Sequence, residues 1–488
     1  MSRMVAVLSK KGENVAETAI AMLEAGMPGD SECYAIASPA MIEMAESTGT
    51  LRLRRIRSPT VIGYSFSRIL PRDRPQPLKL TNATVAFDGR IYPANAKNFD
   101  AKVAAGKLQL NHEDNAKVFI KETKGDYAFI IAETERLVAG RDSIGMRPLY
   151  FGENRNFVAL ASERKALWTI GVEKSDSFPP GHLALIDGRG FKFTPARTLG
   201  RPRPRPISMQ DASEKLQKHL QKSVRERVSD LKKCAVAFSG GLDSSIIAFL
   251  TKNCGVDAHL IHVSLENQPE TEHAKKVADE LRLPIHSYVY TEEDVQNTVA
   301  NVLRLIETPD PVQTSIGIPI YWAAKRASDL GFGVMLAGQG ADELFAGYRR
   351  YVDDYMQSGN QKVQEIMFND ITKMYENNIE RDTKICSSHN VELRLPFATF
   401  QIAKFALGLP LNLKIEPKTD TKRKLVVRQL ATNVGLEKRV TDRPKRAVQY
   451  ATGVNNALKN IARNEGLSVK GYLHEAFGKI FKKMVSYE

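Results

Sequence analysis

Cysteine and tryptophan are scarce here, four and two in 488 residues. The cysteines, Cys33, Cys234, Cys254 and Cys386, form no C-x-x-C pair. That excludes a thiolate zinc finger, a dithiol redox motif and a disulfide-stapled scaffold, and leaves buried thiols as the expectation. The nine histidines do not cluster either. His259 and His262 stand three apart on a predicted strand, so they face opposite sides and cannot chelate one ion. No apolar run is long enough to span a bilayer. The opening Met1–Leu8 has too short an apolar stretch for a signal peptide, so the expectation is a cytoplasmic protein with no membrane partner. Acidic residues fall short of basic ones, 56 against 70, for a net charge of +14. Such a balance suits polyanions. The basic residues are spread along the chain rather than massed, which reads more simply as a basic solvated surface.

What is present is a globular composition, 42% hydrophobic and 26% charged, which excludes a disordered or collagen-like chain. At roughly 100–200 residues per domain, the length allows two to four domains. The first part alternates short β-rich runs with turn chemistry. Strands are predicted at Met4–Leu8, Thr60–Phe66, Thr84–Phe87, Tyr127–Glu133, Leu137–Arg141, Leu149–Gly152 and Phe157–Ser162, with helices at Val15–Ala25 and Asn115–Glu122. This is an α+β pattern rich in antiparallel pairings. Arg197–Pro206 then repeats Arg-Pro three times. Proline lacks an N–H and restrains the residue before it, so residues 196–208 are read as a stiff extended linker.

Beyond the linker the period changes. Leu216, Leu220, Val224 and Val228 recur every four residues and predict a helix from Asp211 to about Asp230. Strand-length apolar runs at Cys234–Phe238, Asp257–Val263 and Ile285–Tyr290 then alternate with helices at Ser244–Lys252 and Glu272–Leu281. Alternating β and α units imply a doubly wound parallel sheet. After about residue 300 helices dominate, and Val469–Tyr487 closes the chain as an amphipathic helix with Leu473, Phe477, Phe481 and Met484 on one side.

The richest chemical signal lies at the first of these strands, where Ala235–Phe238 runs into Ser239, Gly240, Gly241, Leu242, Asp243, Ser244 and Ser245. Glycines let backbone approach an anion closely, and the following helix turns its free N–H groups toward it. The three serines add hydroxyls. Asp243 would repel a phosphate unless it binds a cation, so it predicts Mg²⁺. No Gly-Lys-Ser/Thr follows, so this is not a Walker loop. A second apolar run, Val334–Ala337, ends in Gly338, Gln339, Gly340, Ala341, Asp342 and Glu343, continuing to Gly347 and Tyr348. Ends of neighbouring parallel strands converge, so Asp342 is expected to share the cation with Asp243.

The first motif resembles the PP-loop of enzymes that cleave ATP between its α and β phosphates. With the second, it resembles the synthetase domain of glutamine-hydrolysing asparagine synthetases. The resemblance continues through Glu307-Thr-Pro-Asp310, an acidic loop expected to face nucleotide and substrate. It extends through Asn390–Phe397, through Lys422, Lys424 and Arg428, and through Arg443-Pro-Lys445-Arg446. It covers the chain from about residue 209 to 455. It implies ATP bound at Ser239, Gly240, Gly241, Asp243, Ser244, Ser245, Val263, Gly338, Gln339 and Lys424. It also implies Mg²⁺ on Asp243 and Asp342, with Asp342, Glu343 and Lys445 serving catalysis, Lys445 as the cation that stabilises charge during amide formation.

Residues 1–195 resemble the family's glutamine amidotransferase domain, an N-terminal-nucleophile fold of stacked antiparallel sheets. The match is closest in Gly125–Phe129, Gly140–Tyr150, Ala161–Leu167 and Phe178–Gly181. The expected fold is thus an antiparallel α+β sandwich (1–195), the linker, and an α/β doubly wound sheet with a helical C-terminal part (209–488). The departures fall where chemistry is expected. Such glutaminases use an N-terminal cysteine, whereas position 2 is Ser2 and no cysteine precedes Cys33. The family's Asn-Gly-Glu appears as Asp88-Gly89-Arg90, with Arg68 and Asp114 aligned to its glutamine-holding arginine and acid. This predicts a domain that keeps its fold without hydrolysing glutamine. Two further departures are Gln339, where many relatives have an acid, and Ala398-Thr399 after Pro396-Phe397.

The implied reaction adenylates a carboxylate, expected to be the aspartate side chain. It releases pyrophosphate and forms the amide with ammonia, from solution or another protein, or with nitrogen from glutamine. Relatives are commonly dimers, so a homodimer is compatible. Two alternatives stay open: an intramolecular amide closure like that of β-lactam synthetases, and a PP-loop enzyme modifying RNA. The charge favours the second, but no recognisable RNA-binding module accompanies it, and no nucleic-acid partner is expected.

Overall fold

A computed structural model describes residues 2–26, 31–54, 56–95, 97–416, 423–444 and 446–482. Two compact units emerge: Met1–Thr198 with Ser387–Asn390 and Phe477–Glu488, and Leu199–Cys386 with Val391–Ala476.

The first unit stacks two antiparallel sheets. One orders its strands Asp176–Ser177, Tyr150–Glu153, Phe157–Ala161, Arg3–Ser9, Thr60–Phe66, Cys33–Ala37 and Ile42–Ala45. The other runs Gly190–Pro195, His182–Asp187, Leu137–Arg141, Gly125–Ala132, Ala83–Ile91 and Leu78–Leu80. Alternation along the strands builds three apolar layers. Ala6, Leu8, Ile62 and Tyr64 of the first sheet meet Ala128, Ile130, Ala139 and Ile186 of the second. The opposite faces carry Val5, Val7 and Val61 against the helix Ala16–Glu24, and Val85, Phe87, Phe129 and Ile131 against the helices Asp100–Lys107 and His112–Glu122. The result is helices outside, sheets inside. The best-matched sequence stretch proves to be framework. The fully buried Arg141 donates to the carbonyls of Phe178 (2.8 Å) and Gly145 (2.7 Å). Asp142 accepts from the amides of Tyr127, Ile144, Gly145 and Met146.

The second unit holds a five-stranded sheet in the order Ile285–Tyr290, Asp257–Leu265, Lys233–Ala237, Val334–Leu336, Glu392–Arg394. Every pairing in it is parallel. The chain leaves the central strand Lys233–Ala237 to one side, for the next two strands in sequence, and returns on the other side for the last two. Its C-terminal end is therefore the point where the winding reverses, the place where open parallel sheets form their binding crevice. The helix Met209–Val228 begins at Ser208, whose Oγ accepts from the Asp211 amide, and buries its stripe of Leu216, Leu220, Val224 and Val228 completely or nearly so. The edge strand is anchored by a buried ion network: Arg394 pairs with Glu392 (2.7 Å) and Asp230 (2.7 Å). The closing helix spans Val469–Phe481; its residues from Phe477 on are counted with the first unit, within which Phe481 packs edge-on to Trp168, and Met484 lies outside the described residues. Among the described residues no helix is long and apolar enough to cross a membrane. All four cysteines are free thiols.

Candidate active site

The turn after Lys233–Ala237 is shaped by what surrounds it. Gly240 has φ +68°, and a Cβ there would meet Ala274 Cα and His273 Cδ2 at 2.9 Å, so only glycine fits. His273 donates from Nε2 to the Gly240 carbonyl (3.0 Å), and His262 from Nδ1 to the Phe238 carbonyl (3.0 Å). Burial pushes the pKa of both imidazoles down, which favours neutral rings with one fixed N–H each. Both carbonyls on this side are thereby occupied. Ser239 and Ser244 close the turn through their hydroxyls (3.2 Å), and Ser239 Oγ accepts from the Gly241 amide (3.3 Å). Gly241 then opens the helix Leu242–Lys252, whose first amides have no intrahelical acceptor. Ser239 is exposed, while Ser245 is fully buried and its hydroxyl has no partner among the described residues. The loop thus offers Ser239, Gly241 and the first helical turn to an anion, and keeps Ser245 inside. Val263 is buried on the adjacent strand.

The second motif meets the first one strand away. Lys233–Ala237 and Val334–Leu336 are paired neighbours. Gly338 lies so close to the helix opening that a Cβ there would meet Asp243 Cβ at 2.8 Å. Asp243 and Asp342 consequently converge on one cation, the ammonium of Lys424, at 2.6 and 2.7 Å. The Lys424 side chain is only 3% exposed. Gly347 packs on both Asp342 and Lys424, and a Cβ at 347 would overlap them. Glu343 is turned to other partners. It accepts from Tyr348 Oη and from Asn378 Nδ2 (2.7 Å), and burial followed by the Asp342 charge raises its pKa. Gln339 donates from Nε2 to Asp382 Oδ2 (2.9 Å).

Two neighbouring stretches are tied into the unit by their own contacts. Glu307 is buried in an ion pair with Lys384 (2.8 Å), and Asp310 caps the helix Pro311–Asp329 by accepting from the Gln313 amide (2.7 Å). Arg428 donates to the carbonyls of Arg423 (2.7 Å), Thr441 and Arg443 (3.0 Å), clamping the backbone toward residue 444. Lys445 and Lys422 lie outside the described residues. Arg443 and Arg446 reach the buried Glu270. Among the described residues no cluster of three or more His, Cys, Asp or Glu side chains could hold a metal alone. What the crevice offers is two carboxylates, a set that suits a hard cation bringing its other ligands with it.

In the first unit, Ser2, Asp88 and Arg90 gather around the buried hydroxyl of Tyr64. Arg90 is 7% exposed and already paired, with Asp73 through both its Nη atoms (2.5 and 2.9 Å) and with Asp100 (3.3 Å). Asp100 also accepts from the Ile91 amide and from Arg72 (3.2 Å). Arg68 sits at the edge, exposed, on Glu32 (3.1 Å). Asp114 does not join this group; it is exposed in the first turn of His112–Glu122. Asp73 and Asp100 are the acids the sequence reading missed. Their pairing with Arg90 crosses strand and loop, and no local spacing announces it. The nearest thiol in sequence, Cys33, is no activated nucleophile, since burial and Glu32 both push its pKa up.

Comparison with known proteins agrees with this division. The asparagine synthase family model matches residues 215–362 and 354–478, and a glutamine amidotransferase domain model matches residues 65–169. A putative glutamine-hydrolysing asparagine synthetase of Methanocaldococcus jannaschii is 30% identical over 78% of this chain and 80% of its own. Glutamine-hydrolysing asparagine synthetases of Lotus japonicus and Arabidopsis thaliana are each 27% identical, over 70% and 73% of this chain. The chain spans 60% and 65% of these two plant relatives' lengths. A solved glutamine phosphoribosylpyrophosphate amidotransferase from B. subtilis aligns with 58% of this chain and 65% of its own at 14% identity and a TM-score of 0.34. The family model covers more than half the residues, including both loops of the crevice, and the chain belongs to the asparagine synthase family, a family of ATP-dependent carbon–nitrogen ligases.

Proposed function

We propose that this protein adenylates a carboxylate with ATP, releases pyrophosphate and forms an amide with ammonia, the carboxylate being the side chain of aspartate. The observation that carries the proposal is the meeting of Asp243 and Asp342 at one buried cation beside a glycine-shaped loop and a helix N-terminus. An anion at the loop takes amide N–H groups from the first turn of Leu242–Lys252 and the hydroxyl of Ser239. Asp243 and Asp342 would hold Mg²⁺, which binds through one or two carboxylates plus substrate phosphates and would supply charge neutralisation at the phosphates. Lys424 is placed to counter the same charge from the protein side. The resemblance gives Lys445 the cationic role in amide formation, a preorganised charge where negative charge develops.

In this proposal the first unit does not hydrolyse glutamine. The slot that would take glutamine's α-ammonium holds Arg90, and the acids able to receive that ammonium, Asp73 and Asp100, are engaged by Arg90. Ser2 offers a hydroxyl, far less ionised than a thiol, and burial and Glu32 push the Cys33 thiol up. The test is pyrophosphate release and asparagine formation with Mg·ATP and aspartate, comparing ammonium, glutamine and no nitrogen source. Asparagine with ammonium alone is the expected result. Glutamine-dependent asparagine that disappears in Ser2→Ala would refute the inactive first unit. No pyrophosphate with aspartate, but release with another carboxylate, would overturn the acceptor.

A further inference from the structure

A trans peptide plane carries its C=O and the following N–H on opposite edges, so whatever holds the carbonyl aims the amide the other way. Two planes of the loop after Lys233–Ala237 are held at the carbonyl edge by imidazoles that belong to neither loop motif. His262, on the strand Asp257–Leu265, holds the Phe238 carbonyl, and His273, on the helix Pro269–Leu281, holds the Gly240 carbonyl, each at 3.0 Å. A carbonyl only accepts, so the ring nitrogen at each contact is a donor. The other nitrogen of His262 meets the Thr271 hydroxyl (3.3 Å), which in turn meets Ser264 (2.8 Å).

The amide edges of the same two planes are held more loosely. The N–H of Ser239 rests on Ser244 Oγ and that of Gly241 on Ser239 Oγ, both at 3.3 Å. An amide with a long bond to a hydroxyl loses little when a phosphate oxygen takes the hydroxyl's place. Gly240 makes the arrangement depend on its imidazole. With φ +68° and no Cβ, it leaves the plane between 240 and 241 free to turn. A turned plane would set a carbonyl oxygen, rather than an N–H, against the anion.

We infer that His273 is a positioning residue for the phosphates of ATP beyond the α: from outside both loop motifs it pins the Gly240 carbonyl and keeps the Gly241 amide aimed at the anion. His262 does the same for the Ser239 amide. The inference rests on the ATP-dependent ligase reading above.

The test compares His273→Leu, which removes the donor, with His273→Gln, whose Nε2 replaces it. Both residues suit a helix interior. Calorimetry on the full chain with Mg²⁺ measures the affinity for inorganic pyrophosphate and for AMP. His273→Leu should weaken pyrophosphate about 10-fold or more, the scale of a lost hydrogen bond to a charged group. AMP should weaken much less, since it lacks the phosphates assigned to the loop. KM for ATP should rise in step with the pyrophosphate Kd, and His273→Gln should regain most of the loss in both. Unchanged pyrophosphate binding in His273→Leu, an equal loss for pyrophosphate and AMP, or a glutamine variant no better than the leucine one overturns the inference and leaves the ligase reading standing. A parent protein that binds neither ATP nor pyrophosphate overturns the ligase reading, and this assignment with it.

Discussion

Lys424 is the sharpest place to perturb the crevice. In Lys424→Met the side chain keeps its length and loses its charge. The backbone at 424 has φ +57°, a conformation equally strained for both residues, so that cost cancels. What remains is electrostatic. Asp243 and Asp342, with side chains 13% and 17% exposed, would face each other without the ammonium between them. Removing one partner of a buried pair costs about 3–5 kcal/mol, and the partial exposure of these carboxylates discounts that to roughly 2–4 kcal/mol. For a unit of this size that lowers Tm by about 4–16 °C. The repulsion also makes the variant a better divalent-cation site than the parent. A ligand at about 100 times its Kd stabilises by roughly 2.7 kcal/mol. Millimolar Mg²⁺ should therefore recover much of the lost Tm in the variant and add less in the parent, where Lys424 already neutralises the pair. The assay is a thermal melt of both proteins with EDTA, Mg²⁺ and an ionic-strength control of NaCl. Equal melting of variant and parent in EDTA, or an equal Mg²⁺ shift in both, would refute the reasoning. Under the proposed function, pyrophosphate release should fall at least about tenfold in the variant, which loses the cation that would counter the phosphate charge.

Two further substitutions probe the same unit. Gly347→Ala should cost about 1–3 kcal/mol by overpacking and lower pyrophosphate release more than tenfold, because its methyl overlaps both Asp342 and Lys424 while its φ is ordinary; full activity would show that the pair can shift at no cost. Lys414 is 4% exposed, and burial pushes its pKa down to about 7. The unfolded chain therefore binds a proton that the folded one releases between about pH 7 and 10, and this group's penalty shrinks as pH rises. Lys414→Met should stabilise by up to about 4 kcal/mol near pH 7 and by clearly less near pH 9.5, read from urea midpoints; a gap independent of pH would mean the ammonium is not desolvated.

How far the sequence reveals this molecule depends on how local the signal is. Thr60–Phe66 and Leu137–Arg141 appear at their predicted bounds because β-branched and aromatic runs end there in turn residues. The hairpin His182–Asp187 to Gly190–Pro195 was missed, although Asp187-Gly188-Arg189-Gly190 is turn chemistry, because its strands are short and mixed in polarity. The glycine loop after Lys233–Ala237 is legible because its residues are contiguous, and Gly240 there, like Gly338 in the neighbouring loop, stands where a Cβ would collide. The Asp243–Lys424–Asp342 contact was half legible. Strand adjacency brought the two acids together in principle, but nothing in the sequence placed Lys424 between them, more than eighty residues past the second. Glu307 and Asp310 are read only through the resemblance, and no local spacing announces that Glu307 pairs with Lys384 from a helix far along the chain.

The first unit separates what a fold requires from what a reaction requires. Asp88-Gly89-Arg90 keeps its glycine, and the reason is steric. Gly89 has φ +140° and faces Tyr127 across the strand pair, where a Cβ would meet Tyr127 Cα at 2.6 Å. Asp142 and Arg141 likewise satisfy backbone groups that would otherwise be buried without partners. A substitution at any of these destabilises the sandwich. Arg90 is different. Its charge is met within the unit by Asp73 and Asp100, so the cluster is complete without an amino acid bound to it. A site made to receive a zwitterion must leave an acid and a base short of partners until the ligand arrives, because binding has to be worth more than the contacts it replaces. On the proposed reading, Asp73 and Asp100 are already engaged by the chain's own arginine, and free glutamine would have to displace that internal ion pair to gain the same contacts.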